Sequence, residues 1–109
     1  MKGKIVLIPF PYTDLTSSKL RPALVLYEGE KDVIVAFVTS RIQFESVESA
    51  VTIKKEQAGF EETGLKVDSI IRLDKVATIL KDLVVGELGE LNEELRRSVN
   101  KKLKNIMEI

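Results

Sequence analysis

Three short clusters in this sequence combine cations, hydroxyls and carboxylates in patterns that suit a phosphate group. Arg21 follows a hydroxyl-rich stretch, residues 12–19, and directly precedes Pro22. A residue before proline is pushed towards extended backbone, which presents the Arg21 guanidinium where a loop enters a strand. Its planar fork matches two phosphate oxygens and keeps its charge at any working pH. Thr39, Ser40 and Arg41 follow an apolar run and place two hydroxyls and a guanidinium at a strand end. Such hydroxyls donate to phosphate oxygens, or they satisfy backbone groups of the local turn. Arg72 and Asp74 form the third cluster. If the chain is extended there, both point to one face together with Ile70 and Val76. A guanidinium beside a carboxylate is either a stabilising ion pair or a base-and-cation device over a phosphodiester. Taken singly, each cluster also fits an ordinary surface role.

The composition limits the chemistry sharply. The chain has no histidine and no cysteine. Histidine-based acid–base catalysis, Ser-His-Asp and Cys-His nucleophiles, disulfides, thiolate metal sites and most zinc sites are therefore excluded. Glu56, Glu61 and Glu62 lack a metal-ligand spacing, so no metal or other cofactor is expected. Net charge is zero over 109 residues, which argues against a broad, non-specific nucleic-acid binder. The charge is uneven, however: residues 1–27 carry +3, residues 28–75 carry −3 and residues 76–109 balance. No apolar run approaches the roughly 20 residues needed to span a bilayer, and residues 1–6 do not read as a secretory signal. The expectation is one domain, residues 1–109, in the cytoplasm and away from membranes.

The elements that must position these clusters are mainly strands. Residues 4–9, 22–27 and 32–39 are apolar runs bounded by turn formers, the first of them β-branched, and read as strands. Residues 28–31 read as the turn of a hairpin. The run from Val33 to Val38 is apolar on both faces, so its strand should be central. Residues 49–54 form a weaker strand, residues 55–63 a loop, and residues 66–73 and 76–80 two further strands. From Asn92 the period changes: Leu95, Val99, Leu103 and Ile106 recur every three or four residues and mark a helix. Asn92 is its expected N-cap, with Glu93 and Glu94 in the first turn and lysines towards the end. Five or six strands and one terminal helix predict a mainly β fold, a compact barrel or strongly bent sheet with the helix packed against it.

In this order the segments resemble the MazF/PemK toxin family. The resemblance rests on Gly3-Lys4-Ile5-Val6-Leu7-Ile8-Pro9-Phe10-Pro11, on Ser18-Lys19-Leu20-Arg21-Pro22-Ala23-Leu24-Val25-Leu26, and on Phe37-Val38-Thr39-Ser40. It continues through Gly64-Leu65, through Asp68-Ser69-Ile70-Ile71-Arg72-Leu73-Asp74, and through Ile79-Leu80 and Val85-Gly86-Glu87-Leu88. No piece is specific alone; the ordered set is. The resemblance implies an SH3-like, plasmid-maintenance-toxin β-barrel that forms homodimers. It implies metal-independent cleavage of single-stranded RNA, mostly mRNA, at specific sequences, leaving 2′,3′-cyclic phosphate and 5′-hydroxyl ends. A cognate antitoxin would cover the RNA groove, and DNA would be met only indirectly, through that antitoxin.

Carried over by position, the resemblance makes Arg21 the catalytic arginine, Thr39 the catalytic hydroxyl, and Arg72 with Asp74 the Arg-x-Asp pair of PemK-like members. Arg21 would stabilise charge on the phosphate, Asp74 is a candidate base, and Arg72 a phosphate clamp or acid partner. Thr13, Ser17, Ser18, Lys19, Ser40 and Phe44 are expected to contact RNA, with Phe10 and Tyr12 as further aromatic candidates for stacking. The chain departs from the family pattern in having Lys4 where Asp is usual, Ala77 where many members carry arginine, and no histidine in the first loop. These departures leave the general base unassigned. The competing reading is a non-catalytic barrel of the same fold that binds RNA or a protein.

Overall fold

The computed structural model of the protein describes residues 1–9, 19–41, 43 and 47–109. Strands β1 (Lys4–Pro9), β2 (Leu20–Glu28), β3 (Asp32–Thr39), β4 (Ala50–Ile53), β5 (Ser69–Leu80) and β6 (Gly86–Glu90) precede helix α1 (Glu93–Met107). Short 3-10 turns lie at Glu61–Thr63 and Lys81–Leu83. The strands form one antiparallel, curled half-barrel sheet in the order β4-β5-β3-β2-β1-β6. The expected β fold with a terminal helix is therefore the observed one. β3 lies inside the sheet between β5 and β2, as its doubly apolar run requires.

Both faces of the sheet are apolar, and each has its own core. On one face Ile5, Leu24, Ala36, Ile71 and Leu73 pack with Leu95 and Val99 of α1. On the other, Val6, Ile8, Ala23, Val25, Val33 and Val35 are buried together. α1 starts where Asn92 is, because the Asn92 side-chain oxygen accepts the Leu95 N–H at 2.8 Å. The Asn92 amide also donates to the Ala58 carbonyl at 3.3 Å, and the Lys102 ammonium donates to the Ala50 carbonyl at 2.6 Å. These bonds tie the start of the helix to the loop after β4 and its second half to β4 itself. No helix among the described residues is long and apolar enough to cross a membrane.

Three expectations change. First, residues 66–73 and 76–80 are not two strands. They belong to one, β5, which begins at Ser69 and is interrupted by a bulge. Phe37 pairs with Arg72, yet its neighbour Ala36 pairs with Val76, so residues 73–75 have no partner on β3. The insertion of an odd number of residues reverses the side-chain alternation. Arg72 and Ile70 therefore share one face, while Val76 falls on the other and does not join them. Second, β6 is a strand although its sequence, GELGE, has two glycines and no β-branched residue. It forms because β1 offers a hydrogen-bonding edge and because glycine permits close packing: a Cβ on Gly89 would run into the Glu62 carbonyl oxygen of the neighbouring 3-10 turn. Third, the loop at residues 55–63 ends in that turn, closed by Gly64 at φ 74°.

Lys4, one of the departures noted above, has a clear structural role. Its ammonium lies 3.6 Å from Glu87 and 3.5 Å from Glu90, both on β6. It helps hold the poorly predisposed β6 to β1.

Candidate functional site

Sheet register sets the site. Ala23 lies opposite Phe37, and Phe37 lies opposite Arg72. Extending the first pairing by two residues sets Arg21 across from Thr39, and Thr39 lies opposite Ile70. Two rows of side chains thus cross the same face: Ile8, Arg21, Thr39, Ile70 and Thr52 in one, and Val6, Ala23, Phe37, Arg72 and Ala50 in the other. Adjacent strands are about 5 Å apart, so Arg21 and Arg72 rise from backbones separated by roughly 10 Å. The sheet brings together Arg21, Thr39 and Arg72 from positions 18 and 33 residues apart. They stand on the same face as the second apolar core, beside its buried residues Ile8 and Ala23.

Arg72 is half-buried and holds Asp74 with both ends of its fork. Its Nε donates to Oδ1 at 2.8 Å and its Nη2 to Oδ2 at 2.6 Å. The hydrogen bonds from Arg72 keep the Asp74 carboxyl below the ordinary carboxylate range, and the bond to Asp74 raises the Arg72 guanidinium in turn. Thr39 is also half-buried, and its Oγ1 accepts the Arg41 N–H at 3.2 Å. That bond turns the chain away from β3 and leaves the hydroxyl its own proton to donate. Arg21 is exposed at the start of β2, next to the exposed Lys19. Ala77, the second departure, faces the same side opposite Val35 and extends the apolar floor.

Ser40 follows Thr39 and is exposed. It borders an open pocket of ≈ 400 Å³ that, among the described residues, Lys55, Val67 and Asp68 also line. Nothing in the sequence spacing of Lys55 and Asp68 relates them to Ser40, so the pocket is not legible before the sheet is formed. Thr13, Ser17, Ser18 and Phe44, with Phe10 and Tyr12, lie outside the described residues. No three His, Cys, Asp or Glu side chains among the described residues converge to hold a metal ion.

The arrangement is two guanidinium groups, a hydroxyl donor and a carboxylate on one face of a sheet. Residues 1–107 match the pattern of the PemK-like, MazF-like toxins of type II toxin–antitoxin systems. The chain belongs to that family. The MazF-like fold is equally clear in solved structures. A mycobacterial endoribonuclease in complex with its cognate antitoxin is 16% identical, with a TM-score of 0.76, covering 100% of this chain and 95% of that one. The Mycobacterium tuberculosis toxin MazF-mt6 is 18% identical, with a TM-score of 0.75 and 97% of each chain covered. The MazE–MazF structure from Deinococcus radiodurans is 21% identical, with a TM-score of 0.73, covering 98% of this chain and 94% of that one. A comparison with curated protein sequences finds no match. At these identities the shared feature is the MazF-like fold.

Proposed function

We propose that this MazF-like chain is a sequence-specific, metal-independent endoribonuclease that cleaves single-stranded mRNA and is neutralised by a cognate antitoxin. The observation that carries the reading is the convergence of Arg21, Thr39 and Arg72 on one sheet face, in a chain of this toxin family. The proposed reaction is transesterification within the RNA. The ribose 2′-oxygen attacks the adjacent phosphorus, the new O2′–P bond forms as the P–O5′ bond breaks, and the 2′-hydroxyl proton is lost while the 5′-oxygen gains one. The products are a 2′,3′-cyclic phosphate and a 5′-hydroxyl.

The side chains divide the work by chemistry. Arg21 and Arg72 stabilise negative charge building on the phosphate oxygens. Thr39 donates its hydroxyl proton to the same group. Asp74 is the candidate base, but a carboxylate held ionised by Arg72 has little affinity for a proton. Most of the acceleration therefore falls on charge stabilisation, and the main service of Asp74 is to hold the Arg72 fork. Lys19, Ser40 and the first-loop residues Thr13, Ser17 and Ser18, with Phe44, would contact the RNA on either side.

The whole chain, residues 1–109, acts in this reading as one cytoplasmic domain and as a homodimer. Supporting the dimer, Leu80, Leu83 and Val85 are exposed around the turn between β5 and β6, as are Tyr27 and Val76. Any contact with DNA would come through the antitoxin. A non-catalytic barrel of the same fold that binds RNA or a protein is the second reading, favoured by the zero net charge and by Lys4 and Ala77, the departures from the family pattern. One experiment decides between them: purified protein is incubated with varied single-stranded RNAs in EDTA and the ends are mapped. Cyclic phosphate and 5′-hydroxyl ends, lost in Arg21→Ala, support the endoribonuclease. Binding without cleavage supports the second reading.

A further inference from the structure

The pocket beside Ser40 is built where three strands end. Thr39 and Thr52 flank Ile70 from opposite sides, so the residues just after β3, just after β4 and just before β5 meet at one rim. Those residues include Ser40, Lys55, Val67 and Asp68, which line the ≈ 400 Å³ space. That is enough room for a nucleobase or small organic ligand. Ser40 is the next residue after Thr39, so the pocket lies at the sheet rim one residue beyond the proposed catalytic hydroxyl.

Its walls carry distinct chemistries. Asp68 is fixed: its Oδ1 accepts the Lys55 backbone N–H at 2.7 Å. A carboxylate has about four lone-pair sites, so the group can accept further donors. Among the described residues no ion pair ties down the Lys55 ammonium. Val67 is 50% exposed and offers an apolar wall to the flat face of a ring. An acceptor, a cation, a hydroxyl and an apolar wall together match a splayed base of single-stranded RNA, read along its hydrogen-bonding edges.

We propose that this pocket reads a base flanking the scissile phosphate and selects guanine against uracil, an inference that rests on the endoribonuclease reading. Guanine sets its N1–H and N2–H side by side towards a carboxylate, and its O6 and N7 accept from an ammonium. Adenine and cytosine each offer one exocyclic amine and fit less fully. Uracil has a single N3–H between two carbonyl oxygens, whose lone pairs oppose the Asp68 carboxylate. Lys55 supplies charge to the base or its phosphate, and Asp68 supplies the discrimination.

The test uses wild type, Asp68→Asn and Lys55→Gln. Asp68→Asn keeps the oxygen that accepts the Lys55 N–H, so the rim stays closed, and equal thermal unfolding midpoints check this. Cleavage is measured on oligonucleotides that differ only in the base at each position around a mapped cut. Wild type should prefer guanine over uracil at least tenfold in kcat/KM at one such position. Asp68→Asn should reduce that ratio to threefold or less while still cutting, and Lys55→Gln should raise KM severalfold with kcat unchanged. In parallel, anisotropy measures binding to uracil-rich 2′-fluoro oligonucleotides, which lack the nucleophile, with and without a single guanine. The guanine should tighten binding to wild type tenfold and Asp68→Asn only slightly. A guanine-to-uracil ratio that Asp68→Asn leaves unchanged, in cutting or in binding, overturns the pocket. Uncut RNA with guanine-dependent binding retained overturns the endoribonuclease reading instead.

Discussion

Arg72 closes both donors of its fork on the two carboxylate oxygens of Asp74, at 2.8 Å and 2.6 Å, within a bulge where residues 73–75 have no partner on β3. The pair orients a guanidinium that ordinary strand alternation would not hold so firmly. Removing Asp74 should therefore harm catalysis through Arg72. We expect Asp74→Asn to lower kcat/KM by about tenfold and Arg72→Ala by about a hundredfold. Because the carboxyl is held below its ordinary range, Asp74 stays ionised, and its contribution to stability persists, above the unfolded value of about 4. That contribution is lost as the pH falls through the lowered folded value. The difference in thermal midpoint between wild type and Asp74→Asn should thus be small, largest near neutrality and gone at the acid end. A difference that grows on acidification would contradict this assignment.

Arg21 is exposed and belongs to neither core, so its loss should leave the fold intact. Arg21→Ala is expected to reduce RNA cleavage by about 10²- to 10³-fold while shifting stability by no more than about 0.5 kcal/mol. Arg21→Lys should recover only part of the rate, since an ammonium keeps the charge but not the bidentate fork. Single-turnover cleavage and urea unfolding measure the two effects separately.

At Thr39 the hydroxyl serves both the turn and the proposed chemistry. Thr39→Ser keeps an oxygen that accepts the Arg41 N–H and should retain most activity. Thr39→Val removes it, and cleavage should fall by about 10²-fold, with about 1 kcal/mol of stability lost. Equal activity in the two variants would confine Thr39 to the turn.

Glu28 bridges the Met1 ammonium at 2.6 Å and the Lys81 ammonium at 2.9 Å, linking the chain start to the end of β5. The hydrogen bond from the Met1 ammonium, then that from Lys81, lowers the Glu28 pKa from 4.5 to about 2. A lowered carboxylate pKa contributes stability above the unfolded value and loses it as the pH falls through the folded one. Glu28→Gln should therefore be less stable than wild type at neutral pH, and the gap should close between pH 4.5 and about 2. Urea midpoints across that range provide the check.

Packing makes two stronger demands. Leu73 is fully buried in the helix-side core, and Leu73→Ala should cost about 2–5 kcal/mol. Gly89→Ala should be comparably damaging, although it adds only a methyl group, because that carbon meets the Glu62 and Thr63 backbone rather than a side chain that can move. Thermal unfolding of each variant tests this. An unperturbed Gly89→Ala would mean that the 3-10 turn does not press on β6.

Local patterning accounts for most of the elements. Apolar runs specified β1, β2 and β3, the doubly apolar run placed β3 inside the sheet, and the change of period at Asn92 marked α1 and its cap. β6 was not visible because its sequence has no strand preference of its own; its pairing depends on the β1 edge, on Lys4 reaching Glu87 and Glu90, and on Gly89. The division of residues 66–80 into two strands failed for a related reason. Lys75 and Asp74 look like a polar break, whereas in the sheet they are the bulge of a single strand that both β3 and β4 support.

The site divides along the same line. Residue types alone excluded histidine and cysteine chemistry and left guanidinium, hydroxyl and carboxylate as the candidate groups. The ordered motifs around Arg21, Thr39 and Arg72 pointed to the MazF-like family. Only the tertiary structure decided which of these groups share a face. Side-chain direction in a sheet alternates with every residue, and the bulge at residues 73–75 resets that alternation, leaving Arg72 beside Phe37 and turning Val76 away. The pocket of Ser40, Lys55, Val67 and Asp68 is likewise a product of register, because its walls come from three strand ends that are distant in the chain and adjacent only when the sheet is formed.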